Sequence, residues 1–379
     1  MDTELFTWKT HSNALRDLQH GISIAQNSGV KSLLVLTCSQ NAYPEQPLNF
    51  ILKNCSIPIF GGIYPMISHQ ETLIKQGALI IGFKENYDVT IFSDLQHLKN
   101  EDTLESLINT TLEAKKNISG QDDFLMFYDA LINNVEDFID CLFECLDHSI
   151  TIAGGGAGNL DFIQRPCLFT NNGLLANAVL LVNLPSKLTT SVAHGWTKIE
   201  GPLLVSEAHG QIVQSLNYRP AFEVYSQIIE STCGHEFQDG NFFDIAKNFP
   251  LGIEDINNNL IVRDPILTTD NHLQLIGNIP VNSMVYILGG DINSLISSSE
   301  QAAISLFSTP TKSATQISMV FDCISRVAFM EDEFDKELQI INKYAPSPHL
   351  FGVLSIGEIA NSESSAIRLL NKSTVICSW

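Results

Sequence analysis

The sequence predicts an α+β protein of two lobes, each a mostly antiparallel β-sheet packed with helices. Three observations carry that expectation. Short apolar runs of β type recur along the chain, stretches of helical periodicity lie between several of them, and turn signals crowd the middle. A length of 379 residues fits two domains or one large two-lobed fold, and 44% apolar residues supply a substantial core.

In chain order, residues 10–28 place Ala14, Leu18, Ile22 and Ala25 on one side of a helix. Strands are expected at Ser32–Cys38, Ile57–Ile63, Ala78–Phe83, Val89–Ser93 and Phe124–Tyr128, with helices at Leu104–Lys116 and Asn134–Asp147. Ile150–Ala153 reads as a strand running into Gly154-Gly155-Gly156-Ala157-Gly158, where the backbone must turn sharply or admit a close neighbour. Strand signals at Arg165–Thr170, Leu174–Leu184, Leu188–Ala193 and Pro202–Ala208 are separated by turns such as Asn171-Asn172-Gly173 and predict an antiparallel meander.

Pro220 opens a helix that runs to Ile229. A boundary falls at 231–247, where Cys233-Gly234-His235 and a polar run interrupt the pattern, and it divides residues 28–230 from 231–379. Beyond it, strands at Leu260–Asp264, Leu273–Ile279, Met284–Leu288, Gln316–Cys323, Leu350–Ile356 and Ser373–Ser378 accompany helices at Ile292–Phe307 and Glu331–Tyr344. No repeat of fixed short period is visible.

Composition narrows the function. Acids number 42 against 21 bases, and a net charge of −21 argues against broad contact with nucleic-acid phosphates or an anionic membrane surface. The N-terminus lacks the basic region of a secretory signal, and no stretch approaches the ~20 apolar residues of a spanning helix, so a cytoplasmic protein is expected. Eight scattered cysteines with no Cys-x-x-Cys pair read as reduced, buried thiols. Cys141, Cys145 and His148 share a helix face that could hold a metal, but Phe138 and Leu142 on that face read as core.

Enzyme signatures are missing. The glycine run lacks the spacing of a dinucleotide fingerprint and the ending of a phosphate loop, and no serine-nucleophile elbow or paired-histidine zinc motif occurs. A non-enzymatic protein is the expectation. His194, in Val192-Ala193-His194-Gly195-Trp196, combines a neutral imidazole, apolar flanks, the ring of Trp196 and a glycine that admits a flat ligand, which suits a haem-iron or soft-metal ligand. The plainer reading is a core histidine hydrogen-bonded to backbone. His235 is the second metal candidate. Arg326, with Cys323 beside it, suits a bidentate grip on a carboxylate or an internal pair with Asp322 or Glu358. An enzyme reading rests only on Cys323 as a nucleophile.

The motifs in order resemble a known family. Gly154-Gly155-Gly156-Ala157-Gly158, Pro166-Cys167-Leu168-Phe169, Gly195-Trp196, Gly201-Pro202, Ser206-Glu207-Ala208 and Pro220-Ala221-Phe222-Glu223-Val224-Tyr225 resemble the N-terminal FIST region. Pro250-Leu251-Gly252-Ile253, Val262-Arg263-Asp264-Pro265, Phe321-Asp322-Cys323-Ile324-Ser325-Arg326, Phe351-Gly352 and Gly357-Glu358-Ile359 resemble its C-terminal partner. The resemblance implies a bacterial sensory input protein that binds small ligands. Phe60-Gly61-Gly62-Ile63-Tyr64-Pro65 and the His194 segment look most like the free-standing haem-binding subgroup that senses nitric oxide through a partner histidine kinase.

On that reading, haem lies in an apolar cleft between the lobes. His194 or His235 binds the iron, and Arg326 or Arg219 lies near the propionates. The rival is a module that binds an amino acid or other small carboxylate through Arg326 and the backbone around Gly156. A homodimer is a further expectation.

Overall fold

The computed structural model describes residues 5–97, 101–114, 123–132, 135–146, 148–238, 240–255, 259–308, 316–361 and 365–379. Lys116, Asn134 and Asp147, at the ends of two expected helices, lie outside them. The α+β class holds, with sheets that are mostly antiparallel and backed by helices. Among the described residues the strands form four sheets, three of six strands and one of seven.

The three six-stranded sheets share one plan. Each centres on a single parallel pair: Ser32–Cys38 with Ile59–Tyr64, Phe124–Asp129 with Ile152–Ala157, and Ser318–Cys323 with Leu350–Ser355. Helices connect the two strands of each pair, at Glu45–Lys53, Val135–Cys145, and Ile324–Met330 with Asp335–Tyr344. A parallel pair requires such a crossover. A hairpin follows each pair, then a strand that returns antiparallel to the pair's first member.

The chain therefore runs three times through strand, helix, strand, helix, strand, hairpin, strand, within residues 6–83, 89–183 and 189–378. Each unit lends its hairpin to a neighbour. The first unit's Met66–Ile74 hairpin edges the third sheet, the second unit's Leu168–Leu175 hairpin edges the first, and the third unit's Glu358–Leu370 hairpin edges the second. The three exchanges close a ring. Strands between 165 and 193 accordingly join three different sheets, which corrects the expected meander.

Period-two alternation explains the layering. Leu34 and Leu36, Leu125 and Phe127, and Met319 and Phe321 occupy matching inward positions and meet in one apolar core. Phe127 sits at that junction, with ring centroids 6.0 Å from Phe60 and 5.9 Å from Phe321. Burial of such a ring contributes roughly 1.5–3 kcal/mol. Outward positions pack beneath helices, for example Leu33 and Val35 against Leu18 and Leu48.

A glycine marks the third pair of each parallel ladder, where Gly61, Gly154 and Gly352 face Val35, Met126 and Val320. A Cβ on them would lie 2.1, 2.2 and 2.6 Å from the opposing carbonyl oxygen. Gly154, Gly155 and Gly156 therefore belong to the Ile152–Ala157 strand, not to a loop. The expected close neighbour is present, and it is protein: Gly156 would meet the Ile356 carbonyl at 2.3 Å.

Into the third unit, between its first strand and first helix, is inserted an antiparallel barrel. Thr197–His209 pairs with Met284–Gly289 and with Ile212–Leu216. Leu251–Glu254, Leu260–Thr269 and His272–Ile276 complete the closed ring of six. Closure leaves no free edge in that ring. Helix Ala221–Cys233 packs Val224, Tyr225 and Ile229 into its core, and the Tyr225 hydroxyl donates to the Phe249 carbonyl at 2.7 Å. Gly234, with φ +73°, caps that helix in the left-handed region.

Candidate functional site

The site is built where the barrel, the third unit and a loop of the second unit converge. A pocket of about 310 Å³ opens there. Asp264, Ile266 and Ile276 face it from the barrel, and Cys323, Ile324, Ser325 and Ala328 from the strand-to-helix turn of the third unit. Ile356, Gly357 and Asn371 form the floor, while Leu160, Phe162 and Phe243 stand at the rim. The rim side chains are strongly exposed for apolar groups, Phe162 at 47% and Phe243 at 39%. A volume of this size and a mainly apolar lining with a few polar atoms suit a small organic ligand.

The polar atoms are held firmly. Asp264 accepts a hydrogen bond from the Ser325 hydroxyl at 2.7 Å and an ion pair from the Lys372 ammonium at 3.1 Å. Lys372 is fully buried and also donates to the Lys247 carbonyl at 3.0 Å. Asn371 donates its amide to the Leu370 carbonyl at 3.0 Å, and its own side-chain oxygen, buried at the floor, has no partner among the described residues. Burial pushes the Cys323 thiol well above its usual range, and the Glu358 and Asp264 carboxylates add to the effect. A thiol held protonated is a poor nucleophile, which removes the motive for Cys323 catalysis.

Behind the pocket lies a buried charge network. Arg326 is completely enclosed, with its guanidinium on Glu337, 3.4 Å from Asp322, and donating to the carbonyls of His194 and Lys372 and to Ser299. Thr374 donates to Asp322 at 2.9 Å and to Glu337 at 3.0 Å. Burial drives the Asp322 and Glu358 carboxyls well upward. Arg326 has no donor to spare for a ligand carboxylate, so the expected ligand grip is an internal pair, with Glu337 as chief partner instead of Glu358.

The other expected site residues lie apart. The His194 ring accepts the Trp196 backbone N–H at 2.9 Å through Nδ1, and burial with Arg326 nearby lowers its pKa to about 4. Trp196 is core: its indole donates to the Lys372 carbonyl at 3.3 Å and its ring meets Phe329 edge-on. Gly195 admits the Ser294–Leu295 backbone, not a flat ligand. His235 is exposed, its ring 5.5 Å from Phe249. Arg219 pairs on the surface with Glu223 at 2.6 Å. Cys323 lines the pocket, and Gly156 sits beneath Ile356 at its floor.

No histidine lines this pocket, and because His194 Nδ1 accepts the Trp196 N–H, the neutral ring carries its proton on Nε2, the nitrogen iron would need. The residues present do not fit a haem. Among the described residues no group of three or more His, Cys, Asp or Glu is placed to hold a metal. Cys141 is buried in the helix core as expected, and His148 stacks on Phe143 at 4.5 Å. No helix among the described residues is long and apolar enough to cross a membrane.

Sequence reasoning missed Asn371 and Lys372, which lie in a short turn and carry no spacing signal. Asp264 entered only as the end of an expected strand and as part of the Val262-Arg263-Asp264-Pro265 motif.

The sheets and the barrel thus leave a pocket at their junction. The FIST N domain matches residues 32–219 and the FIST C domain residues 221–361, so the chain belongs to the FIST family, whose domains are sensory parts of signalling proteins. The border between the two matches falls within the barrel, whose strands come from both sides. The chain is also 21% identical over 318 residues to an uncharacterized protein of Methanocaldococcus jannaschii. That alignment takes in 78% of this chain and 61% of the relative, so the chain spans about three fifths of the length of the curated relative it matches.

Proposed function

We propose that the protein is a sensory module that takes a small molecule into the Asp264–Ser325–Asn371 pocket and signals its presence to a partner protein. A histidine kinase is one such partner, and the charge of −21 favours a partner with a basic face. One observation carries the reading. The pocket is walled by three parts of the fold, the barrel, the third unit and the 158–167 loop of the second unit. A ligand touching all three binds best to one arrangement of them, and such differential affinity is what shifts a population toward a signalling state.

The test is a thermal-shift screen of small organic compounds on the wild-type chain and on Ala328→Trp, which fills the pocket. A compound at a hundred times its Kd adds about 2.7 kcal/mol of stability. The shift is expected in the wild type and absent in Ala328→Trp. Equal shifts in both proteins overturn the assignment of the pocket. A Soret band that grows on haem titration and vanishes in His194→Ala would overturn it in favour of the haem reading.

A further inference from the structure

The pocket's polar atoms are nearly all acceptors, and that restricts what can enter. Among the described residues, no Lys, Arg or His lines it. Of the cations close by, Lys372 is tied to Asp264 and to the Lys247 carbonyl, and the Lys247 ammonium donates to the Ala328 carbonyl at 3.3 Å. One Asp264 oxygen accepts from Ser325, and the other lies 3.1 Å from the Lys372 ammonium without a hydrogen bond among the described residues. Two side-chain acceptors of the lining residues are therefore without a hydrogen bond, and only the Asp264 oxygen has a cation beside it. The other, the Asn371 side-chain oxygen, is buried without a partner among the described residues, in a residue 1% exposed, and the bond from its amide nitrogen to Leu370 fixes which end of the side chain is free.

Resting on the pocket assigned above, we infer that it selects a neutral, largely apolar molecule carrying one O–H or N–H donor, which Asn371 receives, and that it turns carboxylates away. A buried acceptor left unmade is costly, so a donor that reaches it gains affinity that an isostere without the donor cannot. A carboxylate would instead bring its charge against the Asp264 carboxylate and the Asn371 oxygen, with no cation among the described lining residues to receive it. Ile276, Ile324 and Ile356 supply the apolar walls for the remainder of the ligand.

Two matched probe sets test this on the full chain by ligand-observed NMR titration: phenol, anisole and benzoate; indole, benzofuran and indole-3-carboxylate. Phenol and indole are expected to bind the wild type about 5- to 100-fold more tightly than anisole and benzofuran. The two carboxylates are expected to be weakest. In Asn371→Leu the donor preference should disappear. Asn371→Asp, which keeps an acceptor and the shape, should retain it, and this variant serves if the leucine variant fails to fold.

Probes that bind without a donor preference, or with the carboxylates strongest, overturn the inference and leave the pocket standing. Failure of every probe to bind the wild type, or binding that survives Ala328→Trp, overturns the pocket and the inference together.

Discussion

The first two units and the third share one chain path yet differ in what lies between sheet and helices. The fifth pair of each parallel ladder holds Thr37 in the first unit, Tyr128 in the second and Asp322 in the third. Around Thr37 the layer is apolar, and Tyr128 uses its hydroxyl on the Ile356 and Gly357 carbonyls, just ahead of the borrowed hairpin. Around Asp322 the layer is ionic, with Arg326, Glu337, Ser299 and Thr374. The third unit also carries the inserted barrel, and the Arg326 network reaches the segment leading into it through the His194 carbonyl. A purely apolar layer is non-directional, whereas hydrogen-bonded charges fix one geometry. The difference teaches that the third unit gives up easy packing to hold the barrel, and hence the pocket, in register.

The largest effect that would break this contrast is at Arg326. Arg326→Met leaves Asp322 and Glu337 buried without their cation and is expected to destabilise the fold by about 3–5 kcal/mol in urea denaturation. The combined variant D322L/R326M/E337L should recover most of that loss, because well-packed apolar residues replace a buried ion cluster at little cost. Recovery in stability with loss of ligand binding is the sharpest form of the contrast. Recovery of both would show that the network orients nothing.

His194 gives the next effect, and its sign is fixed. Its folded pKa of about 4 lies below the ordinary 6.5, so the unfolded chain binds more protons between those values. Stability is therefore full above pH 6.5 and falls as the pH drops toward 4, by up to about 3 kcal/mol from this group. His194→Gln keeps an acceptor for the Trp196 N–H and should flatten that part of a stability-against-pH curve. A curve identical to the wild type's would show that His194 is not held neutral.

The matched glycines test the likeness of the units. Gly61→Ala, Gly154→Ala and Gly352→Ala are each expected to lose about 1–3 kcal/mol by thermal denaturation. Gly61 should be worst, since its φ of +125° adds strain, and Gly352 mildest, since its neighbour is farthest. A neutral result at one of them would remove that unit from the common plan. Smallest of all, Arg219→Ala breaks an exposed pair and should change stability by less than about 0.5 kcal/mol.

Strands with strong alternation or continuous burial were legible, as at Ser32–Cys38 and Ser318–Cys323. Helix Ile292–Phe307 was read to the residue, and the structure adds its capping box, Asp291 with Ser294. Helices Glu45–Lys53 and Ile324–Met330 were not singled out, because each is short and its apolar stripe spans barely two turns. The expected Glu331–Tyr344 helix becomes a 3₁₀ turn at Glu331–Glu333 followed by Asp335–Tyr344. Within the site, Cys323 was legible as an unusual residue at a strand end, and its inertness was not, since burial alone sets it.

By itself the sequence determined the α+β class, the family, the anionic character and most strand positions, because periodicity and composition are local properties of a chain. The threefold path, the exchanged hairpins and the barrel's closure were decided only in three dimensions. So was the fate of two residues that looked made for a ligand: Arg326 satisfies buried carboxylates and His194 closes a turn. A side chain's chemistry is written in its type, but whether its donors are free depends on which distant groups the fold brings within hydrogen-bond reach.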